Sequence, residues 1–360
     1  MTTREVTMRF EVPEVYRLVV QADGDGVIRE ARVEGEFVSR QIGTLVKTRY
    51  ADPHKALYVV ERLCGACSHA HTLAFAGAVE RALGIRIPAR AEAIRTLGAE
   101  LERIQSHAFS LSEITTAARC QDLERSLWGA WQEVTAILVE ISGSRIHYGL
   151  NGIGGLARDV PSAALRRARS VLASLRRSVQ ALRGGFEREL GKSLAGLGVW
   201  SSRDGDLPGT GPNQRASGSS RDIRREEPYL LYEELPFDVP VREEGDSLAR
   251  ACVRLEEMIQ SCGLAERILA SVPAGAIQAE SVDPVPDATF VGRMSVEAPR
   301  GCDRHDVTMT REGEVKEFAI RVPTEDSIVG VASALIGVRE ADARLVVASF
   351  DLCMSCFGGT

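Results

Sequence analysis

Two short cysteine pairs stand at opposite ends of this chain, Cys64-Gly65-Ala66-Cys67 near the start and Cys353-Met354-Ser355-Cys356 close to the last residue. Each is a C-x-x-C, a spacing at which two thiolates converge on one metal ion. If both pairs serve one site, the fold must carry the two ends of a 360-residue chain to a common point. Few topologies do that.

On spacing alone, a four-thiolate zinc staple is an open reading. Structural zinc ribbons, however, usually keep their knuckles within about 15–20 residues of each other, and these pairs are separated by most of the chain. A redox disulfide motif fits less well, since there are two pairs and neither sits in a thioredoxin-like βαβ pattern. The flanks add what a staple does not need. Glu61 and Arg62 precede the first pair, His69 and His71 follow it, and Asp351 precedes the second. A reactive metal centre uses such groups as proton relay, cation and hydrogen-bond donors to sulfur. The other four cysteines read as structural. Cys252 and Cys262 share an apolar helical stripe with Leu248, Leu255 and Ile259, and Cys120 and Cys302 are isolated.

A net charge of −6 argues against nucleic acid or an anionic membrane surface as the main partner. No apolar run approaches the roughly 18 residues of a membrane span. Met1-Thr2-Thr3-Arg4-Glu5-Val6 lacks the apolar stretch of a secretory signal. The expectation is a cytoplasmic chain whose thiols stay reduced and available to metal.

The first fifty residues read as strands. Tyr16-Arg17-Leu18-Val19-Val20-Gln21 runs into the turn signal Asp23-Gly24-Asp25-Gly26, and residues 27–35 then alternate roughly, as in a hairpin or small sheet. From Pro88 the period is helical, with Leu97, Leu101, Ile104, Ala108 and Leu111 on one face. Further helical text covers 120–142, 160–192 and 245–269. Residues 200–228, rich in Gly, Pro and Ser, form a loop too long to be a mere connector. The tail suggests strands at 290–298 and 314–322, a helix at 325–338, and a strand at 345–350 that leads into the second cysteine pair. The expected fold is α+β: a mainly helical bundle core, an N-terminal antiparallel β region and small C-terminal β elements. It divides into a β region over 1–60 and a helical unit over 61–360 carrying both cysteine pairs, packed as one intimate body.

Glu61-Arg62-Leu63-Cys64-Gly65-Ala66-Cys67-Ser68-His69-Ala70-His71 resembles the first signature of the nickel–iron hydrogenase large subunit, and Asp351-Leu352-Cys353-Met354-Ser355-Cys356 resembles its second. Val296-Glu297-Ala298-Pro299-Arg300-Gly301 is similar to a third motif, shared with the quinone-site subunit of respiratory complex I. So are Gly211-Pro212-Asn213-Gln214-Arg215-Ala216-Ser217-Gly218, Pro228-Tyr229 and Phe237-Asp238-Val239-Pro240-Val241. The resemblance runs from about residue 10 to the end. Its complex-I-like middle points to the group 4, membrane-associated, energy-converting hydrogenases.

The resemblance implies a nickel–iron centre. Cys64 and Cys353 would be terminal nickel ligands, Cys67 and Cys356 would bridge nickel to iron, and maturation proteins would place carbon monoxide and cyanide on the iron. Soft thiolates suit both metals. It further implies Glu61 as proton carrier from a cysteine sulfur, Arg300 above the open metal position, Asp351 paired with Arg300, and His71 hydrogen-bonded near a bridging sulfur or an iron ligand. His69 is then only a neighbour. The implied reaction is H2 ⇌ 2 H+ + 2 e− by heterolysis, ferredoxin-linked and H2-evolving. The chain holds no other cysteine cluster of ferredoxin spacing, so iron–sulfur clusters belong to partner subunits. The implied partners are a small hydrogenase subunit with a 4Fe-4S cluster, other complex-I-like hydrophilic subunits, and integral membrane subunits holding the chain to the inner face of the cell membrane.

Three positions depart from the family pattern. Leu352 replaces a usual proline, which would fix φ and remove an N–H. The tail Phe357-Gly358-Gly359-Thr360 lacks the His or Arg that commonly marks C-terminal processing. Ser39-Arg40-Gln41-Ile42-Gly43 stands where relatives have a His-Arg-Gly-Ile-Glu-like loop, which leaves a proton route there without its carboxylate. Two other readings stand beside this one. A complex-I-like quinone or coupling subunit without metal chemistry would generally lack these cysteines. A zinc-stapled scaffold leaves Glu61, Arg300 and Asp351 unexplained.

Overall fold

The computed structural model describes residues 3–10, 16–35, 40–201, 207–280 and 290–357. Strands β1 (Arg4–Phe10), β2 (Tyr16–Ala22) and β3 (Ile28–Gly35) form an antiparallel sheet in that order. The turn between β2 and β3 follows its sequence signal: Asp23 Oδ1 accepts the amides of Asp25 and Val27 at 3.0 Å each. Residues 42–60 depart from the β region expected over 1–60. They form two helices, α1 (Ile42–Arg49) and α2 (Pro53–Val60). The start of α2 is explicit in its sequence, since Asp52 accepts the His54 amide at 2.9 Å and Pro53 occupies the first turn.

After α3 (Ser68–Leu83) comes the bundle: α4 (Ala89–Ala117), α5 (Gln121–Ser142) and α6 (Ser162–Leu194). A small ribbon of β4 (Asn151–Gly152) and β5 (Gly155–Leu156) interrupts it, and α7 (Pro212–Arg215) and α8 (Ile223–Glu226) lead to its last helix, α9 (Ser247–Ala270). The stripe Leu97, Leu101, Ile104, Ala108 and Leu111 is fully buried in one core with Leu172 and Val179 of α6 and Cys252, Leu255 and Cys262 of α9. Each large aliphatic side chain so buried contributes roughly 1.5–3 kcal/mol, which fixes α4 between its neighbours. Part of the loop expected at 200–228 lies outside the described residues, as do Ser39 and the tail beyond Phe357.

The second layer is α3 against an antiparallel sheet of β6 (Val291–Ala298), β7 (Gly301–Met309) and β8 (Val315–Arg321), in that order. The outer strands match the expected 290–298 and 314–322. The central β7 was not legible, because two of its inward positions, Asp303 and His305, are polar and buried. α3 is buried along nearly its whole length, and its small residues let β6 approach closely. A Cβ on Gly292 would lie 1.8 Å from the Ala78 carbonyl oxygen. We expect Gly292→Ala to destabilise the chain by about 3 kcal/mol, the upper part of the overpacking range. A urea midpoint lowered at constant m-value checks it.

α10 (Thr324–Ala334) matches the helix expected at 325–338, although it ends earlier. The strand expected at 345–350 is instead a helix, α11 (Ala343–Phe350). Val346 and Val347 read as β-formers, but Ala343, Val346, Val347 and Phe350 are the buried apolar set, a helical spacing that burial enforces over local propensity. They share a core with Leu18, Val20 and Ile28 of the N-terminal sheet and with Leu352 and Met354. A last short helix, α12 (Met354–Phe357), follows. No helix among the described residues is long and apolar enough to cross a membrane.

Candidate metal centre

The two cysteine pairs meet. Cys64 Sγ lies 3.4 Å from Cys353 Sγ, Cys67 Sγ 3.2 Å from Cys356 Sγ, and Cys353 Sγ 3.4 Å from Cys356 Sγ. These separations far exceed the disulfide length of about 2.05 Å and suit thiolates sharing metal ions. All four cysteines are buried. Cys353 is held well below the usual thiol range by hydrogen bonds from Cys356, Cys64 and Cys67, and contacts within the same cluster push Cys67 and Cys356 up.

Each pair is presented by a loop that other residues clamp. Cys67 stands at the N-terminus of α3, where the buried Glu102 carboxylate accepts the His69 and Ala70 amides at 2.7 and 2.9 Å. Burial pushes Glu102 up to about 7, against those bonds. The second pair follows Asp351, which closes α11 in the left-handed region at φ 54°, a conformation Asp tolerates better than most residues. Thr324 Oγ1 donates to the Cys353 carbonyl at 3.0 Å. The Arg40 guanidinium joins the two loops, donating to the Leu63 carbonyl at 2.5 Å and to that of Ser355. Leu352, where proline was expected, drives its side chain into the N-terminal core and anchors the turn by packing instead.

Arg300 and Asp351 are brought together beside the sulfurs. Arg300 NH2 donates to Asp351 Oδ1 at 2.8 Å, Nε to the Asp351 carbonyl at 3.1 Å, and NH1 to Ser106 Oγ at 3.1 Å. Burial disfavours the guanidinium charge, but Asp351, Cys353, Cys67 and Cys64 outweigh it and hold the group protonated. Interlocked backbones seat this arginine. A Cβ on Gly211 would meet the Arg300 carbonyl at 2.4 Å, and one on Gly301 the Thr210 carbonyl at 2.1 Å. Both glycines sit at positive φ, 127° and 129°, which non-glycine residues rarely adopt. That contact explains why the Gly211–Gly218 and Val296–Gly301 motifs occur together.

His71 meets the cluster at Cys356. Its Nε2 is 3.5 Å from Cys356 Sγ and its Nδ1 is 2.7 Å from Asp303 Oδ2. Burial lowers its affinity for a proton, but the Asp303 carboxylate, then Cys64 and Glu102, lift it to about 9. Asp303 is held below the usual carboxylate range by His71 and His305 despite its burial. His69, two residues before His71, bonds the Arg95 carbonyl at 2.8 Å and Asn151 at 3.3 Å, and burial brings it down to about 4. The Glu61 carboxylate accepts from the Arg62 guanidinium and from the Gly149 amide at 2.8 Å.

One side of the cluster is open. A cavity of about 360 Å³ borders Cys64 and Cys353 and is lined by Ser106, Phe109, Trp131 and Ile146. Cys67 and Cys356 do not line it. A structural zinc site is closed by its four ligands, whereas a catalytic metal keeps an accessible position. Four converging soft donors, a guanidinium beside them and an opening on one flank fit the nickel–iron group. Sequence reasoning missed Asp303, His305, Glu102, Arg40 and Ser106. The signal available for Asp303 and His305 was two polar residues at i and i+2, directly after the Arg300 motif.

Known proteins place the chain in two related groups. Residues 127–293 match the family described as respiratory-chain NADH dehydrogenase, 49 kDa subunit, and residues 40–113 match nickel-dependent hydrogenase. Formate hydrogenlyase subunit 5 of Escherichia coli is 30% identical over 350 residues, 96% of this chain and 60% of that protein. Membrane-bound hydrogenase subunit alpha of Pyrococcus furiosus is 31% identical over 320 residues, 83% of this chain and 74% of the relative. An NADH-quinone oxidoreductase subunit of Sinorhizobium medicae is 35% identical over 274 residues, 74% of this chain and 66% of the relative. The chain therefore spans less than two thirds of the first and third of these relatives. A chain of the membrane-bound sulfane sulfur reductase, an archaeal respiratory membrane complex, shares the fold with a TM-score of 0.89 at 24% identity, covering 99% of this chain and 98% of that one.

Proposed function

This chain belongs to the family that unites nickel-dependent hydrogenase subunits with the 49 kDa subunit of respiratory-chain NADH dehydrogenase, and we propose that it is the catalytic subunit of a membrane-associated nickel–iron hydrogenase. The carrying observation is the convergence of all four thiols, with three sulfur contacts of 3.2–3.4 Å, beside the Arg300–Asp351 pair. Cys64, Cys67, Cys353 and Cys356 would hold the metals, Cys67 and Cys356 as the bridging pair. When bound, such a centre supplies the heterolysis of dihydrogen and takes up its electrons.

The chain's own residues organise that chemistry. Cys64 and Cys353 border the cavity, so their sulfurs are the thiolates placed to accept a proton from an incoming H2. Arg300, fixed by three hydrogen bonds, brings a permanent positive charge to the buried thiolates without having to reorganise. Asp351 orients that guanidinium. Glu61, buried and three residues before Cys64, carries the proton onward. Electrons pass to a 4Fe-4S cluster in a small partner subunit, and the chain is held peripherally at the membrane by other subunits. A ferredoxin supplies or receives the electrons.

The match over 127–293 also favours a second reading, a coupling subunit without metal chemistry. Infrared spectroscopy with metal analysis of the purified complex separates the two. Carbonyl and cyanide bands with one nickel per chain are expected. Zinc alone would sink the proposal in favour of a staple, and absence of bound metal would favour the coupling subunit.

A further inference from the structure

Behind Cys356 lies a buried group of side chains that the proposed reaction does not use. His71 Nδ1 is 2.7 Å from Asp303 Oδ2 and 3.2 Å from His305 Nε2, and His305 Nε2 is 3.5 Å from Asp303 Oδ1. Asp303 is 1% exposed and both histidines 0%. Phe318 packs against His305 and against Phe75, so the surroundings are apolar. A buried carboxylate in such a place is costly unless it is paired, and a hydrophobic residue of similar volume is commonly as stable or more so. Stability alone therefore does not account for Asp303.

Its position suggests what does. His71 lies one turn into α3 after Cys67, and Asp303 and His305 occupy alternate inward positions of β7, directly after Arg300. The elements that carry a proposed ligand and the guanidinium thus also carry this triad. The imidazole of His71 lies between the Asp303 carboxylate, 2.7 Å from Nδ1, and the Cys356 sulfur, 3.5 Å from Nε2. An imidazole bound only to sulfur is free to turn about its side-chain torsions. One held by a carboxylate at its far nitrogen is not.

We propose that Asp303 is a positioning residue for the metal centre: its carboxylate, 2.7 Å from His71 Nδ1, holds the ring by charge with Nε2–H directed at Cys356 Sγ, while His305, 3.5 Å from the other carboxylate oxygen, flanks it. This role rests on the reading of Cys356 as a bridging ligand. A hydrogen bond to a bridging thiolate withdraws electron density from it. Loss of the Asp303 carboxylate weakens that bond, returns density to the iron, and moves its carbonyl and cyanide stretching bands to lower wavenumber.

The test compares the purified complex carrying the unaltered chain, Asp303→Asn, which keeps the volume, and Asp303→Leu, which removes both oxygens. Infrared band positions and metal content per chain are measured in each. The expected result is full nickel occupancy with bands displaced to lower wavenumber in both variants, further in Leu than in Asn. Unmoved bands at full occupancy would overturn the inference. So would loss of nickel from both variants, which would make Asp303 a structural support. A divalent cation present beyond the nickel and iron in the unaltered chain and lost from both variants would make the triad a metal site instead. Absence of carbonyl and cyanide bands from the unaltered complex is a different failure: it refutes the nickel–iron reading itself, and the role of Asp303 falls with it.

Discussion

Cys356→Ser is expected to abolish hydrogen turnover and to leave the chain without a nickel–iron centre. Cys356 is the hub of the cluster, 3.2 Å from Cys67 Sγ, 3.4 Å from Cys353 Sγ and 3.5 Å from His71 Nε2. A bridging ligand must be an anion that donates to two soft metals at once. Serine offers a hard oxygen that stays protonated near neutral pH and reaches less far. The fold should tolerate the change, because serine is close to cysteine in volume and the surrounding core is held by other side chains, with a cost of about 1–2 kcal/mol for burying the hydroxyl. Circular dichroism should therefore be nearly unaltered while nickel, infrared bands and H2 turnover are lost together. Retained turnover would refute the assignment of Cys356 as a ligand.

The parts of this site that could be read from the sequence are those in which chemistry requires a particular residue type at a particular spacing. The cysteine pairs and the flanking Asp351 are of this kind, Arg300 came through the family resemblance, and the structure brings them together. The supporting clamps are of another kind. Arg40 and Thr324 donate to carbonyls of Leu63, Ser355 and Cys353, and every residue has a carbonyl, so nothing in the text of the chain marks the acceptor. The helical stripe of α4 was legible because burial and local period agree there. In α11 they conflict: Val346 and Val347 prefer a strand, but the facing surfaces of β2, β3 and α10 offer a slot for one helical face. β7 was hidden for the opposite reason, since two of its inward positions, Asp303 and His305, are buried polar side chains rather than apolar ones. Glu61 shows the limit of motif reading. Its place next to the first pair is explicit, yet its hydrogen bonds run to Arg62 and Gly149, and its part in proton transfer stands as a proposal.

Arg215→Met should cost about 3–5 kcal/mol of stability, the range for stripping a buried charge cluster of one partner. Arg215 is 0% exposed. Its Nε donates to Glu257 Oε1 at 2.7 Å and its NH1 to Glu297 Oε1 at 2.7 Å, with Asp222 Oδ2 at 3.6 Å. Burial opposes ionisation of Glu257, but Arg215 and then His107 reverse this and hold its carboxyl well below the usual range. A carboxylate depressed in this way stabilises the fold above its unfolded pKa, and that stability is lost only as pH falls through the lower, folded value. Without Arg215 the sign inverts. Glu257 would be buried with less compensation, its pKa would rise, and the folded state would take up a proton more readily than the unfolded one. The penalty should accordingly be largest at about pH 8 and shrink towards about pH 5.5, as read from urea unfolding at the two values. A penalty that is constant with pH, or below about 1 kcal/mol, the range of a solvated ion pair, would show that the cluster is not held by this arginine. The consequence reaches the centre as well. Arg103 supports the same strand through the Glu297 carbonyl at 2.6 Å, and Glu297 lies three residues before Arg300. A β6 loosened at Glu297 therefore displaces the guanidinium, so nickel retained in Arg215→Met should be accompanied by reduced turnover even where the chain remains folded.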